Sequence, residues 1–416
     1  IPTSTSMATA TAVSTTAGSS HAGEVVVNPA TAHQSISGFG ASSAWEAGFA
    51  SAADADTLFS TTTGAGLSLL RLRIAPDGTT SAGEIAMAKA AQQRGAAVWA
   101  TPWSPPPADK SNNSAVTGTL TNGPRFAATL ASYVAAMKVA GINLVAISAQ
   151  NEPDAKVTYE SCSYTGATLA SFIGSNMGPA LAGTGVKILG PETQNWCDFP
   201  SYAPAIFANA AASSYTSIIA THEYGCAPPT QNAAVMQAMS SGKEFWETEI
   251  YDQTAAADPG MTSALRVAKL ITDALTIANV NAWHYWWIYP TAVGNGALWD
   301  KGTGEPSKRL WVLGNFSRFV RPGFKRIDVA GTAPGVTVVA FDNPADETIV
   351  IVAVNTSGGS TTVPFVVSGA ALPSQMTPWV TSANANLAAA APGPLSGARF
   401  SATLAGSSVT TFVGKP

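Results

Sequence analysis

The sequence predicts an α/β chain: a (β/α)8 TIM barrel carrying a C-terminal all-β sandwich side domain. Three observations lead there. Short apolar runs alternate with helix-like stretches, eight times, from Ser37 to Phe319. Eight strand–helix units of that combined length match the size of a TIM barrel. After Arg321-Pro322-Gly323 the helical pattern stops and only strand-like runs remain, separated by Gly, Pro, Asn and Ser.

Taken in order, residues 1–23 are mostly Ser, Thr, Ala and Gly without periodicity. Such a composition cannot bury enough apolar surface to order itself, so a disordered tail is expected. Residues 24–36 hold a short strand, Val25-Val26-Val27, placed ahead of the barrel and expected to join the side domain. The barrel is assigned to residues 37–322. Its apolar runs are Ser37–Ser43, 66–74, 96–103, 142–153, 186–192, 217–225, 243–250 and 281–288. Helices are expected around Ala52–Phe59, Glu84–Arg94, Arg125–Ala140, Thr165–Leu181, Thr230–Ser241, Thr262–Ala278 and Lys308–Phe319. Gly95 and Gly141 stand where a helix ends in a left-handed turn. Alternation alone also fits a doubly wound sheet. No GxGxxG follows the first run, which argues against dinucleotide binding. The side domain, residues 323–416, is read from strands at Val336–Phe341, Thr348–Val354, Thr361–Val367, Thr377–Val380 and Val409–Val413.

Composition narrows the function. Of the 416 residues, 46% are hydrophobic but only 11% are charged. That surface suits a secreted protein. A net charge of −4 with no basic run excludes a phosphate-binding footprint, so no nucleic-acid partner is expected. No apolar run reaches the ~18–20 residues of a membrane helix, so no membrane partner is expected either. The chain starts at Ile1 without a basic or apolar leader and reads as already processed. Eleven Trp and nine Tyr supply flat faces of the kind that stack on sugar rings.

In a TIM barrel the reactive side chains sit at the C-terminal ends of the strands. Glu152 closes the fourth run and Glu249 the seventh. Acetal cleavage needs such a pair: an acid for the leaving oxygen and a carboxylate facing the anomeric carbon. At ~5–5.5 Å separation the second acts as nucleophile and configuration is retained. Glu152 is expected as acid/base and Glu249 as nucleophile. Glu247, two residues earlier and of the same pleat parity, is the rival nucleophile. Glu223 points away from His222 and Tyr224 and is read as structural. No HExxH and no GxSxG occur, so neither a metal nor a serine nucleophile is expected, and no cofactor. Cys162, Cys197 and Cys226 follow the fourth, fifth and sixth runs. A Cys162–Cys197 disulfide is the first choice and Cys197–Cys226 the second.

The motifs "SAQNEP" (148–153) and "FWETEI" (245–250) resemble the acid/base and nucleophile motifs of retaining (β/α)8 glycosidases. More narrowly, "HQSISGFGASSAW", "GLSLLRLRI", "ATPWSPP", "THEYG", "AWHYWWI" and "KRLWVLGNFSRFVRPGFKRID" resemble glycoside hydrolase family thirty, in its xylanase-like branch. The likeness runs from about Val25 to Val413. It implies a secreted enzyme that cuts β-linked plant polysaccharide, most simply an endo-β-1,4-xylanase. A β-1,6-glucanase or galactanase, an exo-acting β-glycosidase, or a non-catalytic carbohydrate-binding barrel are the alternatives. The implied partner is a polysaccharide or oligosaccharide met by a monomer.

Residue by residue, the likeness puts Asn151 on the sugar 2-hydroxyl. Tyr224 and His222 are placed where they could orient the nucleophile, and Arg71 beside Glu249. Trp103, Trp45 and Trp287 become stacking candidates, Trp103 first. The glucuronoxylan-cleaving members carry an arginine after the eighth strand that can grip a uronic acid. Here that stretch reads Trp286-Trp287-Ile288-Tyr289-Pro290, with Tyr289 as a neutral substitute and no Arg or Lys before Lys301. Independence from a glucuronic acid branch is therefore expected.

Overall fold

A computed structural model describes residues 23–230, 232–289, 294–369 and 372–416. The Ser/Thr/Ala-rich segment, apart from Gly23, lies outside the described residues, as do Pro290–Val293. Among the described residues no helix is long and apolar enough to cross a membrane.

After the initial strand β1 (Val25–Ser35), eight parallel strands close a barrel in chain order. They are β2 (Gly38–Ser42), β3 (Leu69–Ile74), β4 (Ala97–Pro102), β5 (Leu144–Ser148), β6 (Lys187–Thr193), β7 (Thr216–Thr221), β8 (Glu244–Ile250) and β9 (Ala282–Trp287). β9 pairs with β2, leaving no free edge. The strands approach closely at β2, where a Cβ on Gly40 would stand 2.4 Å from the Leu69 carbonyl oxygen. Only glycine fits there.

The helical layer is α1 (Ala52–Phe59), α2 (Ala82–Gln93), α3 (Gly123–Val139), α4 (Gly166–Phe172), α5 (Gly178–Leu181), α6 (Ala203–Ala208), α7 (Ala210–Tyr215), α8 (Ala233–Ser240), α9 (Met261–Ile277) and α10 (Lys308–Ser317). Local chemistry explains the starts. Ser51 and Asp54 form a capping box at α1, and Ser81 caps α2 through the Glu84 N–H. In α9, Ala264, Val267, Ala268, Ile271 and Leu275 repeat at helical spacing, and all are buried against the barrel. The helix expected over Thr165–Leu181 is α4 and α5 joined by a π turn at Ile173–Met177.

β10 (Trp299–Asp300) and β11 (Glu305–Pro306) form a small hairpin before α10. The side domain adds β12 (Lys325–Ala330), β13 (Val336–Asp342), β14 (Ile349–Asn355), β15 (Thr361–Val367), β16 (Gln375–Ser382), β17 (Ala385–Ala389), β18 (Gly393–Pro394), β19 (Arg399–Leu404) and β20 (Ser408–Gly414). β1 lies within this sheet, antiparallel to β12 and parallel to β15. The sheet folds over itself, so that Phe365 of β15 and Phe400 of β19 meet Phe412 of β20 at ring distances of 5.6 and 5.3 Å. α10 joins the two parts. Its buried Asn315 donates to Thr411 Oγ1 at 2.9 Å and to the Trp379 carbonyl at 3.1 Å.

Candidate active site

Pleat parity decides which side chains reach the barrel axis. Leu69, Trp99, Ala146, Leu189, Ile218, Ala220, Trp246 and Ala282 form the inner floor. Counting by two from them toward the C-terminal ends brings Arg71 on β3, Thr101 and Trp103 from β4, and Ser148 on β5 above that floor. His222 and Tyr224 follow from β7, and His284 and Trp286 from β9.

Glu152 and Glu249 meet above this layer. A carboxylate oxygen of each and a ring nitrogen of His222 all lie within 4.8 Å of one another. Glu152 stands in left-handed backbone with φ 44°. Its N–H is held by the Glu192 carbonyl at 2.9 Å, and that of Asn151 by the Pro102 carbonyl at 2.9 Å. Backbone of this kind persists only where its surroundings enforce it, and it gathers at active sites. Trp45 and Glu192, with φ of 62° and 60°, share the conformation beside it.

Arg71 is the hub. It is fully buried and donates to Glu249 Oε2 and Asn151 Oδ1, and to Glu192 Oε1 at 2.9 Å. Its guanidinium lies 4.6 Å from the centre of the Trp103 ring. Burial would lower Arg71, but Glu192 and Glu249 hold it above its ordinary value. Glu192, whose side chain is fully buried, is also held by Thr101 Oγ1 at 2.8 Å. Burial pushes this carboxyl up, yet Arg71 and His222 draw it below the ordinary range. The sequence reading passed over Glu192, although it closes the fifth run as Glu152 and Glu249 close theirs.

Tyr224 donates to Glu249 Oε1 at 2.8 Å. His222 does not reach the nucleophile by a hydrogen bond as expected. Its Nδ1 pairs with Glu152 Oε1 at 3.1 Å, because β7 lies on the β5 side of β8. Burial works against a charge on His222, but Glu249, Glu152 and Glu192 around it raise the ring to about 10. Burial and the Glu152 charge push Glu249 up, while His222 and Arg71 oppose them. The cluster thus sets two cations, Arg71 and His222, against three carboxyl groups. Arg71 and Tyr224 both hold Glu249, while His222 and Tyr159 face the two oxygens of Glu152. All four carboxylate oxygens of the pair face donors, and a guanidinium occupies the side of Glu249. This donor set suits reacting carboxylates better than metal ligands.

A cleft of about 690 Å³ opens over the pair. Trp45, Trp103 and Trp287 line it, with Trp286, which the sequence reading did not single out. Trp103, the favoured stacking residue, is only 1% exposed, because Arg71 covers one face and other tryptophans pack on its edge. Trp45, 39% exposed, offers the open face. Tyr159, Gln194, Tyr251 and Gln253 also line the cleft. They lie in loops whose sequence carries no periodic signal. Tyr289 is not brought to the cleft wall. Its hydroxyl donates to Asp54 Oδ2 at 2.9 Å and its ring packs on Phe49 and Trp299.

Two further expectations are corrected. The disulfide joins Cys197 and Cys226, 6.0 Å apart at Cα, because the loops after the adjacent strands β6 and β7 carry them. Cys162 is a free thiol buried in the barrel–helix core. Glu247 is not a rival nucleophile. It pairs across strands with Trp283, which faces the helical layer, whereas Trp246 and Ala282 face inward. The β8–β9 register then slips between Glu247 and Ile250, and this breaks the parity that would have linked Glu247 to Glu249. Burial pushes the Glu247 carboxyl up to about 8. Glu223 is buried with neither carboxyl oxygen hydrogen-bonded among the described residues, and burial raises it well above the ordinary range.

Comparison with known proteins agrees with this geometry. The profile of the glycosyl hydrolase family 30 TIM-barrel domain matches residues 77–263, and that of the family 30 beta sandwich domain matches residues 323–412. Glucuronoxylanase XynC of Bacillus subtilis strain 168 is 32% identical over 94% of this chain and 92% of its own. The glycoside hydrolase family 30 subfamily 8 xylanase Xyn30A of Clostridium acetobutylicum superposes with a TM-score of 0.84 at 34% identity, covering 95% of this chain and all of that one. A family 30 endoxylanase of Clostridium papyrosolvens C71 superposes with a TM-score of 0.81 at 31% identity, over 94% of this chain and all of that one.

Proposed function

Because the chain belongs to glycosyl hydrolase family 30, a family of retaining glycoside hydrolases, we propose that it is an endo-acting xylanase that needs no glucuronic acid branch. The observation that carries the reading is the Glu152–Glu249 pair, within 4.8 Å at the floor of an open, tryptophan-lined cleft. That spacing suits double displacement, since it leaves no room for a water between the nucleophile and the anomeric carbon in the first step. Glu249 attacks the anomeric carbon while Glu152 passes its proton to the leaving oxygen. Glu152 then takes a proton from the water that frees the glycosyl-enzyme. Arg71, a donor only, fixes the Asn151 amide with Oδ1 toward the guanidinium. The amide nitrogen is thereby aimed elsewhere, in the sense needed to donate to the sugar 2-hydroxyl.

Independence from the uronate rests on the missing arginine. Among the described residues lining the cleft there is no Lys or Arg. Two of the cations that follow β9 in sequence are spent elsewhere. Lys308 holds Asn386 Oδ1 at 2.7 Å in the side domain, and Arg309 is buried on backbone carbonyls including Ala297. Burial and the Glu84 charge raise the Glu46 carboxyl to about 8, and Lys301 opposes them. Without a charge-assisted bidentate contact, a uronic acid gains little here. The disulfide supports secretion into an oxidising compartment. One chain supplies every catalytic group, which supports action as a monomer.

The test is digestion of glucuronoxylan, uronate-free xylan, β-1,6-glucan and β-1,6-galactan side by side. Both xylans are expected to yield mixed oligosaccharides. Products that all carry one uronic acid at a fixed distance from the reducing end, with the uronate-free polymer uncut, would overturn uronate independence. Cutting of a β-1,6-glycan alone would overturn the xylanase reading.

A further inference from the structure

Glu247 is a fully buried carboxyl that the reaction does not use. Its Oε1 accepts from the backbone N–H of Glu249 at 3.1 Å, and its Oε2 lies 3.4 Å from the backbone N–H of His284. These two N–H groups belong to β8 and β9 where their ladder loses register, between the pairs Glu247–Trp283 and Ile250–Tyr285. A bulge leaves backbone groups without ladder partners. Buried, such groups must find an acceptor elsewhere. Glu247 supplies two.

The same stretch is pinned from inside the barrel. Trp99 Nε1 approaches His284 Nε2 at 3.0 Å, and an indole N–H only donates. His284 therefore carries its proton on Nδ1, which gives it to the Glu247 carbonyl at 2.9 Å. That neutral ring agrees with burial lowering His284 to about 3. Glu247 thus holds β9 by its carbonyl and its carboxyl, and holds the nucleophile's own N–H as well.

We propose that Glu247 is the positioning residue of the nucleophile: its side chain fixes the β8 bulge that turns Glu249 into the cleft. The proposal rests on reading Glu249 as nucleophile. Glutamine at 247 keeps one acceptor but sets an amide N–H against the other donor. Methionine keeps the volume and offers neither.

The experiment compares the full chain with its E247Q and E247M variants. The probe is a 2-deoxy-2-fluoro-xylobioside bearing a dinitrophenolate leaving group. Covalent adduct formation is timed by intact mass and located by peptide mapping. The wild type is expected to be labelled on Glu249. E247M should be labelled roughly a hundredfold more slowly, as for a reacting atom displaced by about 1 Å. E247Q should fall between the two, with probe affinity and circular dichroism unchanged. A folded E247Q labelled within twofold of the wild-type rate would overturn the positioning role, even were E247M insoluble. An E247Q protein that loses its fold would overturn it too, since the carboxyl would then serve the sheet as a whole. Wild-type labelling at any residue but Glu249 would instead overturn the nucleophile assignment.

Discussion

Tyr159, 44% exposed as a residue and lining the cleft, places its hydroxyl 2.9 Å from Oε2 of Glu152. The other oxygen, Oε1, faces the buried His222. The leaving oxygen of a substrate must therefore come to Oε2, the place the Tyr159 hydroxyl now holds. Y159F should change kcat on xylan by up to about tenfold, the scale of one hydrogen bond near ~1 kcal/mol. An aryl glycoside with an activated leaving group needs no proton and should be cut at the wild-type rate. Equal changes on both substrates, measured by steady-state kinetics, would count against this role.

A second prediction separates the two glutamates. Removing Glu249 leaves a hole beside the anomeric carbon and keeps the proton donor. E249A should lose several orders of magnitude in rate while keeping a native circular dichroism spectrum. Added azide should restore turnover and release a glycosyl azide of inverted configuration, visible by proton NMR. Azide without effect on a folded variant would move the nucleophile to another residue.

The third concerns the cleft rim. The Cys197–Cys226 bridge spans 29 residues and ties the loops after β6 and β7, which also carry Gln194 and Tyr224 into the cleft. Closing a loop of this length is worth about 3.5 kcal/mol. The C197S/C226S double variant should lose roughly that much in urea unfolding, with a larger m because the unfolded chain is no longer cross-linked. Its KM for xylan should rise more than its kcat falls, because the rim is loosened while Glu152 and Glu249 keep their partners. A drop in kcat alone would contradict this.

How much of this was legible before the structure depends on which signal each residue carries. Glu152 and Glu249 close strongly apolar runs, and strand ends are where a barrel keeps its chemistry. Glu192 gave the same signal, but its function lies in holding Arg71, a contact made across the barrel that no local pattern encodes. Glu247 was misread because parity is a rule for unbroken strands, and one bulge cancels it. Short β12, β17 and β19 were missed because their exposed faces leave few apolar positions to count. α6 and α7 were missed because six residues hold less than two helical turns. The disulfide choice turned on which loops are neighbours in space, and sequence spacing does not report that.

The last prediction concerns pH and stability. Burial raises Glu46 and Glu247 to about 8, and Glu84 and Asp154 to about 7. In the unfolded chain such groups titrate near ~4. Between those values the folded protein holds protons that the unfolded chain has released, so stability falls as pH rises. The contribution is complete below ~4 and is lost as pH climbs through 7 to 8. His222, raised to about 10, acts in the same sense above ~6.5. His284, lowered to about 3, acts in the opposite sense below ~6.5, but it is one group against four. The melting temperature should therefore be higher at pH 5 than at pH 8. Glu84 gives the sharpest check. Its Oε1 accepts from Ser43 and from the Arg73 N–H, while Oε2 has no hydrogen-bond partner among the described residues. In E84Q the amide oxygen can keep both bonds, and no proton is needed to keep the side chain neutral. E84Q should flatten the decline between pH 5 and pH 8, gaining on the wild type as pH rises. Parallel melting curves for the two proteins across that range would show that Glu84 carries no proton in the fold.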